Sequence, residues 1–325
     1  MLPAELHHEH KSARVPFELS GKRLDQVLGV LFPDYSRSRL QHWLLHGHVH
    51  VDGTVWRAKD KVKGGEQIAL TAVIERQVAD APEDLPLDVV YADEHLIVVN
   101  KPAGLVVHPA AGNRAGTMLN ALLHYAPELA QLPRAGIVHR LDKDTTGLLV
   151  VARTLEAQSK LTTQLQARSV SREYDAVVLG VVVSGGTVNA PLGRHPVERK
   201  HMAVREGGRE AITHYRVVEQ FRAHTHLRVQ LETGRTHQIR VHLAYIHFPI
   251  VGDPTYGGRV RLPVRSSPEF VAALRQFPRQ ALHASRLSLD HPANDKRMQW
   301  RVPLPQDMQD LLDSMRDDAA AAEEE

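Results

Sequence analysis

Between two apolar runs, residues 136–153 read GIVHRLDKDTTGLLVVAR and crowd His139, Arg140, Asp142, Lys143, Asp144, Thr145 and Thr146 into one short stretch. So many polar groups between strand-like runs mark a loop at the end of a sheet, where a rigid scaffold presents reactive side chains. A plainer reading competes: Asp142 caps a turn, or the Arg, Asp and Lys residues form a solvated ion-pair patch of small energetic worth. A second stretch, LETGRTHQIRVHLAYIHFPIVGDPTYGG at 231–258, sets Arg235, His237, Arg240 and His242 around a helix start that Thr236 can cap. Helix amino ends attract anions. Ile239, Leu243 and Ile246 supply the buried stripe, which turns Arg240 toward something polar, a carboxylate or a phosphate. The plain alternative is a surface arginine with a buried stem. Arg172-Glu173-Tyr174 opens a very apolar strand, and a tyrosine there is more often packed in a core than engaged in chemistry. With no cysteine in the chain, a thiol nucleophile, a thiolate zinc site and a disulfide framework are all excluded.

These stretches need elements to position them. The chain has 325 residues, 42% hydrophobic and 24% charged, which suits a folded globular protein of two domains. The amino-terminal part predicts a small ααβ unit over 17–76. Leu24, Val27, Leu28 and Leu31 line one face of a first helix; Ser36 caps a second with Leu40, Trp43 and Leu44 inward. HVHVDGTVW then reads as two short strands around an Asp52-Gly53 turn, and KDKVKGGEQIAL ends in a last strand. RQVADAPEDLP reads as a linker, placed at 77–86. From 87 to 312, strand signals in LDVVY, LIVVN, GLLVVA, EYDAVVLGVVV, AITHYRVVE and HLRVQLE dominate, with helices expected near 116–126, 154–168 and 236–247. Without a regular βαβ alternation, this predicts an α+β domain on a mixed, mainly antiparallel sheet. The tail at 313–325, acidic and low in complexity, predicts a frayed helix end or disorder.

The net charge of +2 hides a segregation, because the last twenty residues carry −7 and residues 1–305 carry +9. A basic body attracts polyanions, of which nucleic acid is the commonest large one. The opening MLPAELHHEHK lacks the basic flank and apolar run of a signal peptide, and no stretch approaches the roughly 18 apolar residues of a membrane span. A cytoplasmic, unanchored protein is expected.

Taken together, GIVHRLDKDTTGLLV, REY and ETGRTHQIRVH, in that order and at these separations, resemble the pseudouridine synthases that modify large-subunit ribosomal RNA. KPAGLVVHP at 101–109, residues 250–258, LFPDYSRSR at 31–39, AGNRAGTMLNALLHY at 111–125 and RQALHA at 279–284 extend the likeness over nearly the whole chain. The amino-terminal unit resembles the S4-type RNA-binding module. The resemblance implies that Asp142 is the catalytic aspartate, that Tyr174 packs against the target base and that Arg240 pairs with the aspartate. It further implies that Arg140 fills the space left by a flipped nucleotide. It also implies an S4-like unit that supplies affinity, for which Lys22, Arg23, Arg37, Arg39, Arg57, Lys59, Lys61 and Lys63 are the candidate RNA contacts, although each could equally be a solvated surface charge.

The implied reaction breaks the N1 to C1′ bond of uridine, turns the uracil and joins C5 to C1′, so no cofactor and no metal are expected. The base must first leave the stack, at a cost of a few kcal/mol. A carboxylate beside the sugar can act as nucleophile, electrostatic stabiliser or base, and a neighbouring Arg240 would keep Asp142 ionised. Attack at C1′, attack on the ring and proton abstraction from the ribose all remain open. The expected partner is 23S rRNA or a precursor of the large ribosomal subunit, with the uridines of the helix 69 stem-loop as target and a monomer as the working state. Three rivals compete. A metal-dependent nuclease would use the 21 histidines, but HExxH is absent and HGHVHV fits strand faces. A silent ribosome-assembly factor would lack the aspartate, and a sister synthase would modify other uridines.

Overall fold

The structure, a computed structural model, describes residues 6–33, 35, 37–75, 81–110, 112–198, 201–258 and 262–323. It divides into two units, Met1–Asp80 and Ala81–Glu325.

In the first unit, β1 (Leu6–Arg14), α1 (Leu24–Leu31), α2 (Arg37–Leu45), β2 (Val49–Val51) and β3 (Gln67–Glu75) follow one another, and the antiparallel sheet runs β1-β3-β2. Leu24, Val27 and Leu28 of α1 and Leu40, Trp43 and Leu44 of α2 are buried with Val49, Val51, Ile68 and Leu70 of the sheet, as their spacing predicts. The ααβ expectation is incomplete in two places. A strand, β1, precedes the expected start at residue 17: HHEHKS has no apolar alternation, and the strand is specified by its pairing along β3 from Leu6–Glu75 to Arg14–Gln67. The second strand expected after Asp52-Gly53 shrinks to one bridge between Val51 and Thr54. The expected cap Ser36 lies outside the described residues.

In the second unit come β4 (Val89–Ala92), β5 (Leu96–Lys101), α3 (Met118–Tyr125), β6 (Thr146–Ala152), α4 (Leu155–Gln166), β7 (Ser171–Leu179) and β8 (Gly186–Asn189). They are followed by β9 (Leu192–Arg194), β10 (Met202–Val204), β11 (Ile212–Gln220), β12 (His224–Leu231), α5 (Gln238–Tyr245), α6 (Pro268–Gln276), β13 (Leu282–Asp290), β14 (Arg297–Arg301) and α7 (Gln306–Glu323). The main sheet is ordered β4-β5-β6-β13-β7-β12-β11-β8, with β14 also on β13. Only β6 and β13 pair in parallel among the described residues, so the sheet is mixed and mainly antiparallel, as the sequence predicts. Alternation sorts its two faces. Ile97, Val99, Leu149 and Val151 join the core shared with α3, α5, α6 and α7, whereas Leu96, Val98, Leu148 and Val150 join the core under α4.

Two boundaries differ from expectation. The carboxyl half of the expected linker packs against the second unit: the Asn120 side chain donates to the Ala81 carbonyl, and Glu83 accepts from the Gly116 N–H. The tail expected to fray continues as α7 to residue 323. Met308, Leu311, Leu312 and Met315 are buried at helical spacing, and Asp318 is buried against Arg222. The low-complexity end thus extends a helix that its preceding turns anchor.

Candidate active site

The HRLD stretch leaves the core at Ile137 and re-enters it as β6. Leu141 is buried in the core, which holds the loop down, while its neighbours Arg140 and Asp142 are exposed and partly exposed. The turn after Asp142 closes when its carbonyl accepts the Thr145 N–H at 3.1 Å. At the mouth of β6 the parallel pairing brings Gly147 so close to β13 that a Cβ there would meet the Ala284 carbonyl oxygen at 2.3 Å. Glycine is what lets TTG begin the strand in that register.

Beneath the loop lies Lys101, the last residue of β5, with no exposed surface. Its Nζ donates to the carbonyls of Pro102, Leu105 and Lys143 at 2.8, 2.9 and 2.8 Å, which ties KPAGL to the residue after Asp142. Burial pushes the ammonium down to about 7, partly offset by the charges of Asp144 and Asp142. His139 is a structural histidine: its Nε2 accepts from the Val150 N–H at 3.1 Å, and burial pushes it down to about 3.

The second wall comes from the ETGRTHQIR stretch. The expected cap by Thr236 does not form; α5 begins at Gln238, and its N-cap residue is His237 in a left-handed conformation, φ 55°. Instead the Gln238 side chain ties down the turn that precedes the helix. Its Oε1 accepts from the Arg235 N–H at 3.0 Å and from the Thr233 hydroxyl at 2.8 Å, while its Nε2 donates to the Ile212 carbonyl and to Thr213. The bend sends His237 toward Asp142 and brings Arg240, one turn later, under the same carboxylate.

Arg240 is buried and meets two carboxylates. Its Nη1 donates to Asp142 Oδ2 at 3.0 Å, while Nε and Nη2 donate to Asp253 Oδ2 and Oδ1 at 2.7 and 2.8 Å. Against burial, the hydrogen bonds and charge of Asp253, and then those of Asp142, hold the guanidinium above its ordinary value. Burial would raise the Asp253 carboxyl, but Arg240 and the N–H groups of Tyr256 and Thr255 hold it below the usual carboxylate range. The Tyr256 ring lies 5.1 Å from the guanidinium. Its hydroxyl accepts from the Met202 N–H at 2.9 Å and is 2.9 Å from His237 Nδ1. His237 Nε2 lies 3.9 Å from Asp142 Oδ1. Burial lowers His237, with Asp142 opposing, which keeps the ring neutral.

Tyr174, on β7, is buried in the same core face as Leu141 and Ile239. Burial raises its phenol, with Arg172 opposing and Asp142 adding to the rise, so the hydroxyl stays protonated. The expected residues Asp142, Tyr174, Arg240 and Arg140 thus come from β7, α5 and the loop before β6. Arg240 pairs with the carboxylate of Asp142. Asp253, Tyr256, His237 and Lys101 complete the constellation. Their motifs, GDPTYGG, RTHQIR and KPAGL, stand out in the sequence, but a charged or polar residue in a short motif shows no partner until the chain has folded.

In the first unit, Lys22, Arg23, Arg39, Arg57, Lys59, Lys61 and Lys63 are exposed, and Arg37 opens α2 with its side chain outside the described residues. The backbone brings two of these groups together: Val62 N donates to the Lys22 carbonyl, and Arg23 bridges Lys61. Arg23 is committed to Asp25 by bonds of 3.0 and 2.9 Å, and Arg39 lies 5.9 Å from the Trp43 ring. Two of the histidines are engaged by other groups. His226 binds Asp175 and His242 binds Thr213 and the Ala190 carbonyl; no cluster of three metal-ligating side chains occurs among the described residues. Nor is any helix among them long and apolar enough to cross a membrane.

Residues 95–245 match the family model described as RNA pseudouridylate synthase, and residues 22–68 match the S4 domain. The chain is 60% identical over 311 residues to ribosomal large subunit pseudouridine synthase D of Pseudomonas aeruginosa, covering 96% of this chain and 97% of that protein. It is 58% identical over 299 residues to the protein of the same name from Escherichia coli K12, covering 92% of each. Among solved structures it resembles human RNA pseudouridylate synthase domain containing 4, with a TM-score of 0.56 and 26% identity over 70% of this chain and 93% of that one.

Proposed function

The chain belongs to the RNA pseudouridylate synthase family, and from that premise we propose that it converts uridines of large-subunit ribosomal RNA to pseudouridine through Asp142, with the helix 69 stem-loop of 23S rRNA as its target. The observation that carries the reading is the carboxylate of Asp142, held through Oδ2 by Arg240 while Oδ1, among the described residues, has only the neutral His237 at 3.9 Å. One oxygen is thereby oriented and the other is left for the substrate.

The reaction is an isomerisation with a closed balance. The N1 to C1′ bond breaks, the C5 to C1′ bond forms, the proton lost from C5 is replaced by one gained at N1, and nothing is oxidised or added. Bond breaking develops positive character at C1′ and negative charge on uracil, so an oriented carboxylate beside the sugar stabilises the first or forms a bond with it. Attack at C1′, attack on the ring and removal of a ribose proton all use the same oxygen. Tyr174 offers the flat face against which the uracil packs. Its buried, protonated hydroxyl favours that role over service as a base at C5. Arg140, exposed beside Asp142, is the side chain free to occupy the gap in the stack once the base has flipped. The S4-like unit holds the RNA backbone with its exposed lysines and arginines. In this reading the enzyme works as a single chain in the cytoplasm and needs neither metal nor cofactor.

The test is to incubate the protein, without metal or nucleotide, with unmodified large-subunit rRNA, and to map pseudouridine by carbodiimide-dependent reverse-transcription stops beside an Asp142→Ala control. New stops in the helix 69 loop that vanish with the variant are expected. Stops at other uridines would move the target to a sister specificity, and tight RNA binding without stops would favour a silent assembly factor.

A further inference from the structure

Arg172 stands two residues before Tyr174 on β7 and faces the same side of the sheet. Only 7% of it is exposed, yet it has no carboxylate partner among the described residues. Among the described residues its Nε is buried without a hydrogen-bond partner, and Nη2 reaches only the Glu232 carbonyl at 3.5 Å. The Glu232 carboxylate is turned away, toward Arg168 and His214. Nη1 lies under Gly234, where a Cβ would stand 2.8 Å from it, and Gly234 itself is exposed. The guanidinium therefore approaches the surface at the ETGR turn, through the gap that a missing side chain leaves.

The neighbourhood adds positive charge. Arg168 takes the carboxylates of both Glu210 and Glu232, and Arg235 donates to the Glu210 carbonyl. Burial and then the charge of Arg209 hold the Arg235 guanidinium below its ordinary value, with Glu210 opposing. A buried cation with no counter-ion is costly, and a guanidinium fork matches a phosphate in shape and charge. We propose that Arg172, under the Gly234 turn, binds one backbone phosphodiester of the RNA beside the nucleotide whose base reaches Tyr174. The identity of that nucleotide rests on the functional reading above; the anion site rests on the geometry of Arg172.

The experiment measures binding of an RNA stem-loop containing the target uridine to wild-type protein and to Arg172→Gln and Arg172→Lys across a range of KCl. A parallel set of RNAs carries a neutral methylphosphonate at one phosphate at a time. Arg172→Gln should weaken binding about tenfold. It should also flatten the slope of log affinity against log salt by about 0.7 to 0.9, while Arg172→Lys keeps the slope. One methylphosphonate next to the target should weaken wild-type binding to the same degree and add nothing to Arg172→Gln. An unchanged slope, or methylphosphonate losses that add to Arg172→Gln at every position, would overturn the proposal. So would unchanged binding with a slower single-turnover rate, since the guanidinium would then act on the uracil. If Arg172→Gln does not fold, the wild-type methylphosphonate series decides, and the absence of a sensitive phosphate beside the target counts against the site. Wild-type protein that binds but leaves every uridine unmodified would contradict the functional reading alone, and the slopes would still decide for or against Arg172.

Discussion

Asp253 grips Arg240 with two parallel hydrogen bonds, 2.7 Å from Nε and 2.8 Å from Nη2, and so leaves Nη1 alone to face the site. An arginine held at one edge cannot swing, and the position of Asp142 Oδ2 is set by a residue that lies 111 positions away in the chain and does not touch it in the structure.

Asp253→Asn should therefore lower the single-turnover rate by about 100-fold, the usual consequence of an ångström-scale misplacement of a reacting group. RNA affinity should change little, because Asp253 is buried beneath the site. The same substitution weakens a buried ion pair and should cost about 3 kcal/mol in denaturant unfolding. A variant equal to wild type in rate would show that Arg240 needs no second anchor.

Lys101 makes a prediction with a definite sign. Its folded value of about 7 lies below its ordinary 10.5, so between these pH values the unfolded chain binds the extra proton. Stability should rise with pH from about 7 to about 10, by up to ~1.4 kcal/mol per unit from this group. Lys101→Met removes that rise. Denaturant unfolding of both proteins at pH 6, 7.5 and 9 measures the difference, and parallel pH curves would contradict the lowered value of the Lys101 ammonium. Because Nζ also holds the Lys143 carbonyl, the variant should lose turnover too.

His224 controls part of the acid limb. It is fully buried on β12, its ring 5.9 Å from Phe270 and both its nitrogens without partners among the described residues, and burial pushes it down to about 4, with Asp318 opposing. A folded value below the ordinary 6.5 means stability that is present above about pH 6.5 and lost as the pH falls toward 4. His224→Phe should flatten this limb and raise stability at pH 5 by about 1 to 3 kcal/mol, since it also removes unsatisfied polar atoms. Thermal melts of the two proteins at pH 5 and pH 7.5 read the effect, and an equal shift at both would assign the gain to packing alone.

Periodicity makes much of this architecture legible in the amino-acid sequence. The alternation in LIVVN and GLLVVA sorts the two faces of the sheet, and Leu24, Val27 and Leu28 mark a buried helix face, because these patterns depend on local geometry alone. The pairing of Asp142 with Arg240, 98 positions apart, follows from family resemblance, since nothing local in either motif names the other. Lys101 looks like a surface lysine until three carbonyls close around it. His237 carries no local sign of its left-handed backbone, which accompanies the turn that Gln238 ties down through the Arg235 N–H in place of the cap expected from Thr236. Strand β1 and the end of α7 escape the sequence pattern for a related reason: the first is specified by a pairing partner about sixty residues away, and the second by anchorage of the turns that precede it.

The S4-like unit should supply affinity without chemistry, and its charges are unequal. Arg23 is neutralised by Asp25 in a two-bond pair, whereas Lys59, Lys61 and Lys63 project from the segment that Lys22 and Arg23 bind through the backbone. Replacing those three lysines by alanine should lower the slope of log affinity against log salt by about 2 to 3, if each contacts a phosphate, whereas Arg23→Ala should change it much less. Deletion of residues 1–80, at the division between the two units, should go further: weaker binding and a flatter salt dependence. At saturating RNA the remaining unit should still turn over, because Asp142, Arg240, Asp253 and Tyr174 all lie beyond the deletion. Filter binding across a range of KCl and single-turnover assays measure these effects separately. An unchanged salt slope in the truncated protein would remove the amino-terminal unit from RNA binding and shift that role to the second.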